Sequence, residues 1–441
     1  MRAAVVILLV VACGKKQAAV PADADVRKID APTADAVTND APVAVAKPTV
    51  KKLVAAQHST CAVLSDKTVR CWGADAFGQL GDGGKKDASL PVTPTLTGIE
   101  EIAFGEAHAC ALLDDGSVAC WGKIGIGTRQ VAGEPTAVPG VTNVLHVLAR
   151  GAAGCATVKN DSMICWGDVN ASGRVRTGSG ATESRMPTPV AGLDHVVALS
   201  ANGALRDDGG VYYVGADGAP VRTAIMNAAE IASSGTSLCA RLESGVVQCV
   251  GATPLCAAPF ETPKPAIKPT RPVAVKPAKA AKAAKGKKPG TSPKVASKRP
   301  VNPAKHELAV ETLKLPAARH LAFDAGGVCV VTTAGRLQCL DHTNACKLEA
   351  PWPDLAKVDV VVDHCARTTE GAVKCWNVDG KKRVASTIAG AAGSTLLAAG
   401  TTHACALITD HVVCWGGNEH GELGRATIDR MPHPEAAPVK L

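Results

Sequence analysis

The sequence predicts an all-β protein built as an array of disulfide-clipped hairpins, and three observations predict it. A segment of about 15 residues with a cysteine near each end recurs along the chain. Each copy reads as an alternating apolar run, a turn of Asp, Gly or Ser, and a second run, which is the pattern of a β-hairpin. Aromatic residues make up only 3% of the 441 residues, whereas cysteine occurs 17 times, so covalent clips replace large side chains in the core. The length allows two or three domains or one repeat array, and the repeats select the array.

The chain begins with Met1 and Arg2, followed by ten uninterrupted apolar residues from Ala3 to Ala12. Ten residues cannot cross ~30 Å of hydrocarbon, which takes about 20, but they match the apolar region of an export signal. Val10-Val11-Ala12-Cys13-Gly14 resembles a bacterial lipobox. That resemblance implies a signal peptide over 1–12, removed before Cys13, and a lipid on Cys13. An ordinary signal peptide with an incidental cysteine is the alternative. Lipidation also resolves the odd cysteine count, and acyl chains anchor by about 0.8 kcal/mol per buried CH₂. The expected location is the cell envelope, lipid-anchored to the outer membrane as Gly14 suggests, or otherwise secreted. Residues 13–50 follow as a tether. Rich in Ala, Pro, Asp and Val, with five basic and five acidic residues over 14–50, this stretch buries too little apolar area to order itself. As a disordered spacer it spans roughly 30–35 Å.

The repeats fill 51–258 and 306–441, read as two parts of one fold. His108-Ala-Cys-Ala-Leu-Leu-Asp-Asp-Gly-Ser-Val-Ala-Cys-Trp-Gly122 aligns with His403-Ala-Cys-Ala-Leu-Ile-Thr-Asp-His-Val-Val-Cys-Trp-Gly416. Seven cysteine pairs recur: Cys61 with Cys71, Cys110 with Cys120, Cys155 with Cys165, Cys239 with Cys249, Cys329 with Cys339, Cys365 with Cys375 and Cys405 with Cys414. A degenerate eighth copy over 201–215 carries Gly203 and Tyr213 at the cysteine positions. Five of the six tryptophans (Trp72, Trp121, Trp166, Trp376, Trp415) directly follow a second cysteine and are expected to pack at unit edges.

Hairpin geometry supports disulfides. Nine residues between Cys110 and Cys120, with a three-residue Asp114-Asp115-Gly116 loop, set the cysteines opposite each other. They fall in a non-hydrogen-bonded pair, where Cα atoms lie about 4.5 Å apart, within disulfide range. The last unit has eight intervening residues and a two-residue Thr409-Asp410 loop, which restores the same pairing. Zinc is the competing reading, but its sites use ligands two to four residues apart and no CxxC occurs. No metal or other cofactor is expected. Cys256 and Cys346 flank a long insertion and the hairpin of Cys329 and Cys339, and their pairing would leave no free thiol.

Trp72-Gly73-Ala-Asp-Ala-Phe-Gly78-Gln79-Leu80-Gly81 and Trp415-Gly416-Gly-Asn418-Glu-His-Gly421-Glu422-Leu423-Gly424 resemble the signature of the regulator-of-chromosome-condensation (RCC1-like) repeat. The resemblance covers both repeat segments and is strongest at their two ends. It implies a β-propeller, seven-bladed in most of the family and closed by pairing the first and last strands in one blade. Eight hairpin units are counted in this chain. Exported bacterial propellers of this kind bind proteins, which implies an envelope or extracellular protein as partner. Intracellular nucleic acid is not an expected partner of an exported chain.

Residues 259–305 interrupt the repeats with Lys, Pro and Ala, and are read as a disordered insertion. Eleven Lys and two Arg against one Glu give +12, so the remaining chain carries −4 of the overall +8. Lys276, Lys279, Lys282, Lys285, Lys287 and Lys288 form its densest run and are candidate contacts for an anionic polymer. A self-repelling loop without a partner is the plainer reading. No aromatic interleaves the lysines, which argues against base stacking.

No HExxH, GxSxG, complete phosphate loop or alternating-acid calcium loop occurs. Asp114-Asp115-Gly116 and Asp207-Asp208-Gly209 read as turns. His108 and His403 read as structural positions of the repeat, and no catalytic residue is assigned. The expected function is therefore a non-enzymatic lipoprotein that presents the propeller as a protein-binding scaffold. The alternatives are a propeller enzyme acting on envelope polysaccharide, with carboxylates converging in the channel, or a spacer whose basic loop binds polyanions.

Overall fold

The computed structural model describes residues 47–441 except 127–128, 132, 151–152, 160–161, 168–183, 201, 215–219, 235–236, 252–307, 325–326, 342–346, 349–354 and 380–381. Cys13, Cys256, Cys346, the run Lys276, Lys279, Lys282, Lys285, Lys287 and Lys288, and nearly all of the tether lie outside the described residues.

Eight four-stranded antiparallel sheets follow one another along the chain, and one short two-stranded sheet accompanies them. The first blade comprises β1 (Val50–Ala56), β2 (Ser59–Leu64), β3 (Val69–Gly73) and β4 (Ala88–Val92). Blades 2 to 8 occupy 99–137, 144–194, 196–222, 228–312, 318–348, 358–387 and 394–438. Eight apolar clusters fill the eight interfaces between neighbouring blades, including the interface that joins blade 8 to blade 1. The sheets therefore close into a ring, an eight-bladed propeller whose core is divided among its interfaces.

The ring corrects two expectations that came from the family resemblance. The blade number is eight, as the hairpin count indicates. No blade is shared between the chain's two ends either, because blades 1 and 8 each take all four strands from one contiguous stretch. Closure rests on packing and hydrogen bonds between two separate blades, with no shared sheet.

Each second strand sits inside a blade between two neighbours. Ser59–Leu64, Ala153–Val158 and Gly327–Thr332 are buried at every residue. Such strands need small apolar residues on both faces, which explains Cys, Ala and Val in place of an apolar–polar alternation. The first strand of every blade carries a bulge near its start, at Val50/Lys52 and the seven equivalent positions. A bulge raises local twist and bends the strand, and its repetition gives all eight blades the same curvature.

Among the described residues, seven disulfides join the second and third strands, with Cα–Cα distances of 4.0–4.1 Å. They are the seven pairs expected from the spacing. Cys61 bonds Cys71 in blade 1, Cys110 bonds Cys120 in blade 2, and Cys155 bonds Cys165 in blade 3. Cys239 bonds Cys249 in blade 5, Cys329 bonds Cys339 in blade 6, and Cys365 bonds Cys375 in blade 7. Cys405 bonds Cys414 in blade 8, across the two-residue turn. In every case the half-cystines pair directly in register. Gly116 adopts φ +77° in the three-residue loop, as the bulge there requires. Blade 4 is the degenerate copy: Gly203 faces Tyr213, and the space a Cβ would take at 203 is filled by Leu238 of blade 5. Seven such clips form in an oxidising compartment.

Because strands alternate in direction, the first-to-second and third-to-fourth connections emerge on one face, and the hairpin turns on the other. The turns have two to four residues. The third-to-fourth connections are longer in five blades, running 74–87, 123–135, 168–183, 252–310 and 419–428. The chain enters blade 1 on the turn face, where Thr49 and Ser65 exchange hydrogen bonds of 2.8 and 3.0 Å. One side of the disc is trimmed and the other elaborated.

Candidate functional site

On the elaborated face, two of the longer connections flank the meeting of blades 8, 1 and 2. The two connections that carry Gly-Gln-Leu-Gly and Gly-Glu-Leu-Gly fold alike there. Asp75 accepts from the Leu80 amide at 2.8 Å, and Asn418 accepts from the Leu423 amide at 3.2 Å. Each connection thus coils back on its own acidic or amide side chain and drives a leucine into the next interface, where Leu80 and Leu423 are fully buried. The tryptophan of the following blade holds the coil. Trp121 of blade 2 donates to the Gln79 carbonyl, and Trp72 of blade 1 to the Glu422 carbonyl, both at 2.8 Å. Gly81 closes the motif at φ +79°, and a Cβ there would lie 2.8 Å from the Trp121 indole nitrogen. The tryptophans are therefore buried braces between blades, as the sequence suggests. Trp166 packs between blades without that bond: blade 2 has a short hairpin (Ile124–Ile126 with Arg129–Val131) in place of the motif, and the buried Trp166 Nε1 has no hydrogen-bond partner.

The seam between blades 8 and 1 carries a chain of ionisable groups. His58 Nδ1 and Glu422 Oε1 are 2.9 Å apart, while the other Glu422 oxygen accepts from the His420 amide at 2.7 Å. His420 Nδ1 meets Asp87 Oδ2 at 2.6 Å, and Asp87 Oδ1 accepts from the Asp75 amide at 2.8 Å. The His58 and His420 rings are 4.9 Å apart. Below them, His403 Nε2 and the Thr60 hydroxyl are 2.7 Å apart. Backbone bonds of 2.7 Å from Thr401 to Gln57 and from Ala426 to Ser89 complete the join.

Burial and pairing set the proton affinities. The hydrogen bond that His58 donates to Glu422 is the main cause that raises His58 above its ordinary value. Burial pushes Asp75 up to about 7, against the Leu80 amide bond, and leaves its Oδ2 without a partner. Burial pushes His108 and His403 down to about 4, so both are neutral imidazoles in the interior. His403 has a partner in Thr60; the equivalent position for His108 is Gly154, which has no side chain to offer. Both histidines are structural, as the repeat indicates.

Beside the seam, a cavity of about 230 Å³ opens between blades 1 and 2, with His58, Phe77, Asp87, Phe104 and His420 among its walls. Phe77 is 45% exposed there, and the Lys123 ammonium stands 5.0 Å from its ring centre. Among the described residues, no group of three or more His, Cys, Asp or Glu is arranged to hold a metal ion. The two Asp-Asp-Gly segments are turns: Asp115 accepts from the Ser117 amide and Asp208 from the Gly210 amide, each at 2.8 Å. The seam network escapes sequence reading, since its partners lie 333–364 residues apart. The one signal is Glu422, which stands where blade 1 carries Gln79.

Fold and bracing together define a disulfide-clipped β-propeller assembled from a recurring four-stranded unit. A family model described as the regulator of chromosome condensation (RCC1) repeat matches residues 99–123, the first three strands of blade 2. Among solved structures, Prp20p from Saccharomyces cerevisiae, studied for its binding to Gsp1p and histones, superposes with a TM-score of 0.50 at 15% identity. That match covers 88% of this chain and 87% of Prp20p. Human WBSCR16 gives 0.50 at 16% identity, over 85% of this chain and 95% of the other. No curated protein sequence matches the chain. The chain is an RCC1-like β-propeller.

Proposed function

We propose that the protein is a non-enzymatic lipoprotein of the cell envelope, anchored through Cys13, whose propeller presents its elaborated face to a protein partner. The observation that carries this reading is the asymmetry of the disc. Disulfides clip the inner hairpins, whose short turns lie on one side, and the longer connections emerge on the other. Binding surfaces belong on loops held by a rigid scaffold. Prp20p, which shares the fold, binds proteins, and this supports protein binding in general. The seven disulfides support export into an oxidising space.

Crosslinking in cells, with and without residues 259–305, tests the reading. One protein captured by both forms is the expected result. Capture of polyanions alone, lost with the insertion, would make Lys276–Lys288 the functional element and the propeller its mount. The insertion joins blade 5 on the elaborated face, and this favours that second reading over a bare spacer. Radiolabelled fatty acid on the wild type but not on Cys13→Ser tests the anchor separately.

A further inference from the structure

A ring without a shared blade has one interface that the chain does not cross, and this one is joined by titratable side chains. Successive blades elsewhere are linked covalently by their connections. Blades 8 and 1 have apolar packing, two backbone bonds, and the chain Asp75–Asp87–His420–His58–Glu422 with His403 on Thr60 beneath it. We propose that this seam is a proton-controlled latch, in which protonated His58 on Glu422 locks the ring and its deprotonation loosens it.

The geometry supports a switch in three ways. Glu422 is fully buried, so it depends on the charge of His58 rather than on water. His58 is about one-third exposed, so its proton can exchange with solvent without the ring unfolding. The His420 ring lies against that of His58, so the switch sits within one connected cluster across the seam.

The charged and titratable groups facing His58 come from every neighbour. Blade 8 supplies Glu419, His420, Glu422 and His403, and blade 1 supplies Asp87. Blade 2 places Glu106 and His108 on the shared cavity, and His364 of blade 7 acts on His403. The carboxylates raise His58, so its share of the closure is full below the unfolded value of 6.5 and lost as pH rises through the folded value. Asp75, raised to about 7, has the same sign, and ionises without a partner for Oδ2 as pH rises. His403 has the opposite sign: lowered to about 4, it charges unfavourably as pH falls from 6.5. Asp75 loses its contribution between 3.8 and about 7 while His403 regains its own between about 4 and 6.5, so the two oppose each other on the acid side, and loosening above 6.5 comes chiefly from His58.

Hydrogen exchange on the full oxidised chain reads this directly. Peptides holding the seam amides of Thr401 and Ala426 are compared with those holding Ala228 and Val358, which bridge blades 4/5 and 6/7. After correction for intrinsic rates, protection at the seam is expected to fall about tenfold relative to the controls between pH 6.5 and 8.5, or ~1.4 kcal/mol. His58→Asn should remove most of that difference. Parallel change at seam and controls in the wild type overturns the latch, whether or not the variant folds. So does a full pH response in folded His58→Asn.

Discussion

Replacing Trp121 and Trp166 by phenylalanine separates the bracing role of the indole N–H from the bulk of the ring. Both rings are essentially buried, at 0% and 1% exposure, and each follows the second cysteine of its blade. They differ in one respect: the Trp121 N–H reaches the Gln79 carbonyl at 2.8 Å, and the Trp166 N–H reaches nothing. Shrinking either ring leaves a void that costs about 1 kcal/mol. Trp121→Phe also strands a buried carbonyl, at about 1–3 kcal/mol, for a total near 2–4 kcal/mol. Trp166→Phe removes an orphaned donor, a gain of about 1–3 kcal/mol that cancels the void or exceeds it. Urea unfolding followed by far-ultraviolet circular dichroism, with unchanged slope, gives the two midpoints. Equal losses in the two variants would refute the assignment of Trp121 as a hydrogen-bonded brace of the Gly-x-Leu-Gly coil.

Asp75→Asn should stabilise the protein at pH 8 by about 2–4 kcal/mol, and much less at pH 4, because Asn418 performs the same task uncharged in blade 8. Thermal unfolding at the two pH values checks the sign. Removing one clip with Cys239→Ala and Cys249→Ala together should cost up to ~2.5–3 kcal/mol, since it reopens a loop of about 11 residues in the unfolded chain; a denaturant midpoint identical to wild type would leave the clips without a stabilising role. His403→Gln should reduce the stability lost between pH 6.5 and 4 by about 3 kcal/mol, the full cost of charging a buried imidazole. An acid limb of unchanged steepness would show that His403 does not titrate inside the fold.

The hairpins were legible because a covalent clip constrains sequence tightly. Cysteine spacing and turn length have to change together, and Cys405 and Cys414 with their Thr409-Asp410 turn show that they do. The six wider pairs, from Cys61 with Cys71 to Cys365 with Cys375, all keep the longer spacing of 10. The blade count followed from the same units, down to Gly203 facing Tyr213 in the copy without cysteines. The edge position of the tryptophans was legible too, although its cause was not. The Trp121 bond to Gln79 joins a blade to the one before it, and nothing local to Trp121 announces its acceptor. The seam was hidden for a related reason. His58 and Glu422 meet only after eight blades have turned the chain through a full circle, so no spacing rule links them. The family expectation of a shared blade pointed away from it, and the presence of the two best-formed Gly-x-Leu-Gly coils on either side of the seam gains its sense only in the closed ring. There the Glu422 coil braces the one interface that no connection crosses, and the Gln79 coil braces the next one round the ring.

The claim that the elaborated face of the disc is the binding face is tested most directly by photo-crosslinking in cells from single positions on each side. Phe77 and Lys85 lie on the elaborated face, and Asp115 and Asp208 lie in the turns on the other. A crosslinkable residue at Phe77 or Lys85 is predicted to capture one protein that Asp115 and Asp208 do not. Capture of the same protein from the turn positions alone, or equally from both faces, would contradict the account.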